Sequence, residues 1–384
     1  MRKPAFRLTA VAVIAVAGLV TAGCAGGTTG GGAATDSALA SGDLTGLNFA
    51  FAIPTSAAEV YVNQADTFVK QAEELGATVT VYDNAGDAAT MLSNADLMVA
   101  AAPDVIIEFP SVADATTRVG QKFTDAGIPC IAVNVPVEGC PLFNFDQPYL
   151  SGLGATAMAE QMATRGWDAS NTTVVIGQAS ELGASVNIAA TAFYAALSEK
   201  VPGMTKVSSD DIQPTTTVIT PDQGLQGDLG LTIDSGYDAT LTALQTIPKD
   251  RNVVIYTVSD DTTVGVLRAL DNQGRTAQAM VSGYGGSTDA LSNIRNGDVW
   301  VTEQMGFFAY WGEFLLSMAA ATAAGADIPE LTSPPMVILE KDNVDTFFEP
   351  GTDTLTEMPE LPDSSKYLYD TGILQKFGNI AGAE

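Results

Sequence analysis

The chain has 384 residues, and 45 acidic against 17 basic side chains give it a formal net charge of −28. Such a surface repels nucleic acid and anionic lipid, so neither is expected as a partner. The sequence contains no histidine, which excludes histidine triads, histidine general bases and histidine metal sites. It also lacks the P-loop of nucleotide hydrolases, a nucleophile elbow and any CxxC pair. Neither a metal nor a cofactor is therefore expected.

Residues 1–23 have the parts of a bacterial export signal. An apolar run at 8–20 is shorter than the roughly 18–20 residues of a membrane-spanning helix, and small residues precede Cys24. The run follows three basic residues, Arg2, Lys3 and Arg7. The segment resembles the lipoprotein signal, although that family usually has Leu where Thr21 stands. The resemblance implies export and a lipid on Cys24 that anchors the protein to the outer face of the membrane. An ordinary cleaved signal, with Cys24 as an unused thiol, is the alternative.

The chain has three cysteines, an odd number for an exported protein. If Cys24 carries lipid, Cys130 and Cys140 remain, ten residues apart in an oxidising compartment. A disulfide between them is predicted, and two buried free thiols are the alternative. The disulfide would stabilise the protein mainly by restricting the unfolded chain.

Residues 25–46 are small, polar and glycine-rich, and with Cys24 they are predicted to form a flexible tether. Removing Arg2, Lys3 and Arg7 with the signal leaves 14 basic against 45 acidic residues, a formal charge of −31 for the mature chain. Roughly 300 residues follow the tether, which is too many for one ordinary core and indicates two lobes.

Short apolar runs alternate with helix-period segments from Leu47 onward. The first series contains strands at 47–53, 77–84, 104–110 and 128–136, with helices at 56–76, 86–101 and 112–127. This β-α-β-α-β-α-β order predicts a parallel, doubly wound sheet.

A second series of the same kind follows a break at 143–151. Its predicted helices are at 151–165, 185–199, 232–246, 261–272, 287–296 and 309–325, and its predicted strands are at 172–179, 253–259, 277–285, 299–305 and 334–343. The Thr/Asp/Gly-rich stretch 208–230 is read as an insertion, and the tail 350–384 has no clear period. GLGATA at 152–157 resembles a dinucleotide fingerprint, but no adequate strand precedes it, so its glycines are assigned to the start of a helix.

Together the two series predict an α/β fold of two doubly wound parallel-sheet lobes joined by a hinge. The N-terminal lobe is expected to comprise 47–146 with about 306–333, and the C-terminal lobe 147–305 with about 334–349, followed by a C-terminal extension at 350–384. Ligands of such sheets bind outside the carboxyl ends of the strands, so a site between the lobes is expected.

Four segments resemble the ribose- and galactose-type periplasmic sugar-binding proteins of ABC transporters, which have the type I fold. They are TFVKQAEELGATVTVYDNAGD at 67–87, PDVIIEFPSVADAT to GIPCIAVNVP at 103–136, SDDTTVGVLRALDNQG at 259–274 and VSGYGGSTDALSNIRNGDVWVTEQM at 281–305. The resemblance covers about 47–343. It implies a monomer that holds a sugar or polyol between its lobes and works with a membrane permease.

The resemblance also assigns ligand-binding positions. They are Tyr61, where the family packs an aromatic ring on the sugar; Asn134, where it has a hydroxyl-binding Asp; Asp146 at the joint between the lobes; Asn187, where Arg is usual; Ser259 and Asp260, where Asn-Asp is common; Tyr284, with Gly285, in place of Phe-Asp; and the amide of Gln304 at the crossover. Three of them have structural alternatives: core packing for Tyr61, a helix or turn cap for Asn134 and a helix N-cap for Asp260.

Val135, Asn187 and Gly285 depart from the family pattern, because the family commonly has arginines at the first two positions and a carboxylate at the third. The expected ligand is therefore smaller, less oxygenated or differently shaped than a common pyranose. A solute-binding lipoprotein of an ABC importer is the leading hypothesis. A sensor that presents its closed form to a membrane receptor, and an exported enzyme on the same fold, are the alternatives.

Overall fold

The structure, a computed structural model, describes residues 42–180 and 184–383. Two sheets dominate it, and each forms the centre of one lobe. Cys24 and most of the predicted tether lie outside the described residues. Within the described ranges, no helix is both long and apolar enough to cross a membrane.

The N-terminal lobe contains a six-stranded parallel sheet in the order β12-β5-β4-β3-β1-β2. Its strands are β1 (Asn48–Ile53), β2 (Thr78–Asp83), β3 (Val105–Glu108), β4 (Cys130–Val133), β5 (Leu142–Phe143) and β12 (Leu331–Thr332). Its helices are α1 (Glu59–Glu74), α2 (Ala88–Ala101), α3 (Thr116–Ala126) and α9 (Trp311–Ala323).

Successive side chains of each strand point to opposite faces of this sheet, so the lobe has two cores, one on each face. Phe51 and Ile107 pack with α1 and α9 on one face. Ala52 and Ile106 pack with α2 and α3 on the other. Helices on both faces are what a buried parallel sheet requires.

The C-terminal lobe contains a seven-stranded sheet in the order β13-β11-β10-β9-β6-β8-β7, in which only the two edge strands are antiparallel to their neighbours. Its strands are β6 (Thr172–Gln178), β7 (Val218–Thr220), β8 (Gly224–Asp228), β9 (Asn252–Tyr256), β10 (Ala279–Tyr284), β11 (Trp300–Met305) and β13 (Val337–Leu339). Its helices are α4 (Gln147–Thr164), α5 (Ala184–Lys200), α6 (Ile233–Thr246), α7 (Asp260–Asn272) and α8 (Thr288–Asn296).

The stretch 208–230, read from the sequence as an insertion, is part of the sheet. It contains β7 and β8, and β8 pairs in parallel with β6 inside the sheet. The sequence of β8, GLQGD, has none of the β-branched residues typical of strands. Gly224 is needed there because a Cβ at this position would lie 2.1 Å from the hydroxyl oxygen of Tyr194.

Residues 344–383 pack against the body of the protein and include two short helices, α10 (Val344–Phe347) and α11 (Ile373–Phe377), and a 3-10 helix at Asp363–Thr371. Their apolar side chains join the core around α9, although the sequence showed no helical or strand period there. The structure also contains the disulfide between Cys130 and Cys140, with the two Cα atoms 5.0 Å apart.

Candidate ligand-binding site

The candidate site lies at the carboxyl ends of the strands, where open α/β sheets bind their ligands. All eight predicted residues lie within a strand near this end, directly beside it, or in the first turn of a following helix. They are Tyr61 in α1, Asn134 after β4, Asp146 before α4, Asn187 in α5, Ser259 before α7, Asp260 at the start of α7, Tyr284 at the end of β10 and Gln304 in β11.

Gln304 is fully buried near the end of β11. Its side chain lies against α4, where a Cβ at Gly154 would come within 2.5 Å of the Gln304 Nε2 atom. Among the residues that the structure describes, neither Oε1 nor Nε2 has a hydrogen-bond partner. A buried amide without partners costs about 1–3 kcal/mol, so this amide has donor and acceptor capacity to offer a polar ligand.

Tyr284 connects the end of β10 to the segment between the lobes. Its hydroxyl donates to Oε1 of Gln147 at 3.1 Å. Its ring meets Phe145 edge to face, with the ring centroids 5.7 Å apart, and Phe145 packs in turn on Trp311 at 4.8 Å. Burial raises the pKa of Tyr284, so its phenol stays protonated and remains a donor.

Tyr61 belongs to an aromatic cluster at the crossover between the lobes. Its ring meets Phe109, just after β3, at a centroid distance of 5.1 Å and Phe308, just after β11, at 6.4 Å. The ring is only half-buried and its partners are apolar, so it packs on the core as the structural alternative proposed. Its exposed part remains available to a ligand.

Asn134 begins a loop that is fixed by several contacts. The residue has a left-handed backbone with φ of 63°, and Asn144 Nδ2 donates to its carbonyl oxygen at 2.9 Å. The Cys130–Cys140 disulfide joins the two ends of the loop region. The loop also lies on α3, where a Cβ at Gly120 would be 2.0 Å from the Glu138 carbonyl oxygen. Asn134 is therefore presented on a rigid support.

Three other predicted residues make local contacts. Asp146 caps α4, because its Oδ1 accepts from the Tyr149 backbone N–H at 3.0 Å. Asn187 Oδ1 accepts from the backbone N–H of Ala179 at 3.3 Å, which ties α5 to the end of β6. Ser259 Oγ donates to the Leu231 carbonyl oxygen at 3.5 Å. These contacts position the side chains at the strand ends, and their contact with a ligand stays a prediction.

Asp260 holds the loop that follows Tyr284. Its Oδ2 accepts from the backbone N–H groups of Gly286 at 2.9 Å and Ser287 at 2.6 Å. Gly285 makes this possible, because its φ is 150° and a Cβ there would be 2.7 Å from Oδ2. Ser259, not Asp260, occupies the N-cap position of α7, so the proposed N-cap role is wrong. The Asp260 carboxylate anchors a loop instead.

Glu303 is a buried carboxyl group that the sequence did not reveal. Its Oε2 accepts from the Trp300 indole N–H at 3.0 Å, and a Cβ at Gly283 would lie 2.2 Å from that oxygen. Its Oε1 and the Oδ1 of Asp260 are buried, and neither has a hydrogen-bond partner among the described residues. Burial first, and then the charge of Asp260 and a hydrogen bond to it, raise the pKa of Glu303. The raised pKa favours the protonated form of Glu303, which carries an O–H donor.

Glu108 is the second buried carboxyl group that was missed. It ends β3 between Ala52 and Ala132 of the neighbouring strands. Its Oε1 accepts from Asn84 Nδ2 at 2.9 Å, and Asn84 Oδ1 accepts from Asn94 at 3.0 Å. Burial raises the pKa of Glu108 to about 8, against a smaller lowering by Asn84.

A pattern in the sequence could have identified both buried carboxyl groups. Each glutamate stands in the carboxyl-terminal half of a buried strand that begins with apolar residues, VIIE for β3 and WVTEQM for β11. A carboxyl group within a buried strand is costly unless it is paired or neutral, and the position alone indicates a specific role.

A family model described as a periplasmic binding protein domain matches residues 49–326. The chain belongs to the periplasmic binding protein family. The suspected family and the predicted two-lobed α/β fold are thereby confirmed.

Solved structures show the same fold for this periplasmic binding protein. It is similar to an ABC transporter solute-binding protein from Mycobacterium smegmatis with bound glycerol, with 20% identity and a TM-score of 0.61 over 78% of this chain and 96% of that chain. A solute-binding protein from Actinobacillus succinogenes 130z with bound D-allose matches with 17% identity and a TM-score of 0.62 over 78% and 100%. A periplasmic ribose ABC transporter protein from Conexibacter woesei DSM 14684 matches with 17% identity and a TM-score of 0.64 over 79% and 95%. Among proteins with curated descriptions, none matches significantly.

Proposed function

We propose that this periplasmic binding protein is the solute-binding lipoprotein of an ABC importer, which captures a sugar or sugar-like polyol by lobe closure and delivers it to a membrane permease. The observation that carries the proposal is the buried Gln304 amide, whose two polar atoms have no partner among the described residues at the carboxyl end of β11. The solved structures bound to glycerol and D-allose support this ligand class, although their likeness extends only to the fold.

The chemistry of the eight proposed residues suits neutral hydroxyl groups. Tyr61 and Tyr284 offer ring surface to the apolar C–H face of a sugar. Asn134, Asn187 and Gln304 offer amides, and Ser259 a hydroxyl, each able to donate and accept. Asp146 and Asp260 supply the carboxylates, and the set contains no arginine. We propose that such a site selects an uncharged polyol with fewer oxygen atoms than a common pyranose.

A thermal-shift screen of the mature chain against a broad library of sugars and polyols tests the ligand class. Ligand that binds the native state alone raises its stability by RT ln(1 + [L]/Kd), which is about 2.7 kcal/mol at a concentration of 100 Kd. We expect at least one neutral polyol to raise the melting temperature, and calorimetry to give its affinity. Absence of any shift across the library, with amino acids and charged solutes included as comparison classes, would contradict the proposal.

Tyr284→Phe tests the site itself. The variant removes one hydroxyl and leaves Gln147 Oε1 without the donor it now has at 3.1 Å. We expect weaker binding of the polyol found in the screen, with the fold intact. Tyr82→Phe is the matched control, because Tyr82 lies in the edge strand β2 and packs on the core between that strand and α2. Equal affinities for the two variants would show that the Tyr284 hydroxyl does not contribute to ligand binding.

We also propose that Cys24 carries lipid and that the lobes have the boundaries expected from the sequence. The support for the boundaries is that β1 to β5 with β12, and β6 to β11 with β13, fall in the expected ranges. Intact-mass analysis of protein extracted from membranes tests the lipid, and a mature N-terminus other than a lipidated Cys24 would refute it. Sedimentation analysis tests the proposed monomer.

A further inference from the structure

Residues 344–383, here named the C-terminal strap, lie outside the part of the chain that the family accounts for. The family model ends at residue 326. The Mycobacterium smegmatis protein is covered over 96% of its length by 78% of this chain, so about a fifth of this chain lies outside the shared fold. An addition of this length that is packed into the core needs a structural reason.

The first part of the strap, 344–353, is attached to the C-terminal lobe. Asp345 Oδ1 forms an ion pair with Nε of Arg295 on α8 at 2.7 Å, and the Arg295 side chain is only 11% exposed. Arg295 also donates to the Glu349 carbonyl oxygen at 3.3 Å. Thr288, the first residue of α8, donates to Asp353 Oδ2 at 2.7 Å. This half of the strap therefore moves with α8.

The second part, 358–383, is attached to the N-terminal lobe. Leu368, Ile373 and Leu374 are fully buried in the core around α9. The strap also accepts a hydrogen bond from the Ser333 backbone N–H through Ser365 Oγ at 2.8 Å, and Lys376 pairs with Glu74 of α1 at 3.5 Å. Every residue of α9 from 311 to 321 is buried, because the sheet, α1 and the strap all pack against this helix.

The two halves are joined by very little chain. A β-bridge pairs Phe348 with Leu355, a second pairs Met358 with Ile380, and only two exposed residues, Thr356 and Glu357, lie between the bridges. Three residue steps span at most about 10 Å when fully extended. The described chain already crosses between the lobes at β5 to α4, β11 to α9 and β12 to β13. The strap adds a fourth crossing that is short and anchored at both ends.

We propose that the C-terminal strap limits how far the two lobes open when no ligand is bound. Hinge opening turns one packed body against the other, and a short link fixed to α8 on one side and α9 on the other resists that rotation. A narrower open state leaves the ligand-free protein closer to its closed form and lowers the free energy needed to reach it. The proposal depends on the two-lobed fold and not on the identity of the ligand.

Distances between spin labels in the ligand-free full-length protein test this proposal. Labels carried by non-natural amino acids at positions 60 in α1 and 188 in α5 leave the cysteines untouched, and both native side chains are exposed, at 36% and 46%. The first variant, Asp345→Ala with Asp353→Ala, removes the two carboxylates that attach the strap to α8. The second inserts six Gly and Ser residues after Glu357 and lengthens the link without removing a contact.

We expect longer and broader distance distributions in both variants than in the natural sequence. The control, Glu360→Ala with Asp363→Ala, removes the same number of carboxylates from pairs with Lys366, which lie within the strap, and should leave the distribution unchanged. Natural distributions in both test variants would overturn the proposal. Because the measurement uses no ligand, a failed polyol screen and an unchanged distance are separate results.

Discussion

Asp260 and Glu303 place two carboxyl groups against each other beneath the loop that carries Tyr284. One oxygen of Asp260 accepts from two backbone N–H groups and one oxygen of Glu303 accepts from the Trp300 indole, whereas Oδ1 of Asp260 and Oε1 of Glu303 are buried without a hydrogen-bond partner among the described residues. Burial, and then the charge of Asp260, raise the pKa of Glu303, which favours the protonated form of Glu303. Asp260 fixes the loop that follows Tyr284, and Glu303 directly precedes Gln304 in β11. Both carboxyl groups therefore lie next to proposed ligand-binding positions.

Glu303→Gln should reduce the loss of stability at high pH. The native pKa of Glu303 is raised, so the folded protein binds more protons than the unfolded chain above the ordinary Glu pKa, and the free energy of unfolding falls as pH rises. Each unit by which the native pKa exceeds the unfolded one corresponds to about 1.4 kcal/mol. The Gln amide accepts from Trp300 and donates to Asp260 without titrating. Tyr256 and Tyr284, the other titratable groups near Glu303, stay neutral because burial raises their pKa.

Urea unfolding between pH 5 and 9 measures the effect. We expect a shallower fall with pH for Glu303→Gln than for the natural sequence. Glu357→Gln, an exposed residue of the strap, is the control and should follow the natural curve. Parallel curves for all three proteins would contradict the raised pKa of Glu303.

Glu108 should produce a similar effect in the N-terminal lobe, within a defined pH range. Burial raises its pKa from 4.5 to about 8, so the stability of the folded protein should decline as pH rises from 4.5 through 8. Glu108→Gln keeps an acceptor for Asn84 Nδ2 and should remove this decline. Glu108→Ala also removes the titrating group, but it leaves the Asn84 amide without that partner and should be about 1–3 kcal/mol less stable than Glu108→Gln at every pH. Denaturant unfolding at pH 6 and 9 distinguishes the two variants, and equal pH slopes for Glu108→Gln and the natural protein would contradict the assignment.

Gly154→Ala should displace Gln304. The added methyl group would lie 2.5 Å from Nε2, so the amide has to move, and we expect weaker polyol binding together with lower stability. Gly152→Ala, two residues earlier in α4, meets nothing within 4 Å and should stabilise the helix by about 0.5–1 kcal/mol without changing affinity. Calorimetric affinities and melting temperatures of the two variants make the comparison. A tighter or unchanged affinity in Gly154→Ala would show that Gln304 does not bind the ligand.

Loss of the disulfide should destabilise the N-terminal lobe. Cys130 and Cys140 are ten residues apart, and closing a loop of this length restricts the unfolded chain by about 2–3 kcal/mol. We expect that difference between the natural protein and Cys130→Ser with Cys140→Ser in urea unfolding. Reductant should lower the stability of the natural protein and leave the double variant unaffected. A double variant as stable as the natural protein would show that the loop around Asn134 is fixed by its other contacts.

The sequence alone determined the two-lobed α/β class, because helix-period and strand-like segments alternate in two separate series, an order typical of doubly wound parallel sheets. It also located Tyr284 and Gln304 at strand ends, since the carboxyl end of a strand can be read from its apolar run. The sequence of β8 gives little indication of a strand, because it contains Gly224 and Gly227, which have low strand propensity. A side chain at either position would be close to its neighbours.

Tertiary structure decided the rest. Whether Glu303 meets Asp260, whether Gln304 keeps an unpaired amide and whether 344–383 spans the two lobes all depend on which segments lie side by side in space. These contacts join residues that are far apart in the chain, and their free energies come from burial and shared hydrogen bonds. A one-dimensional pattern of apolar and polar residues records that a side chain is buried, but not what it is buried against.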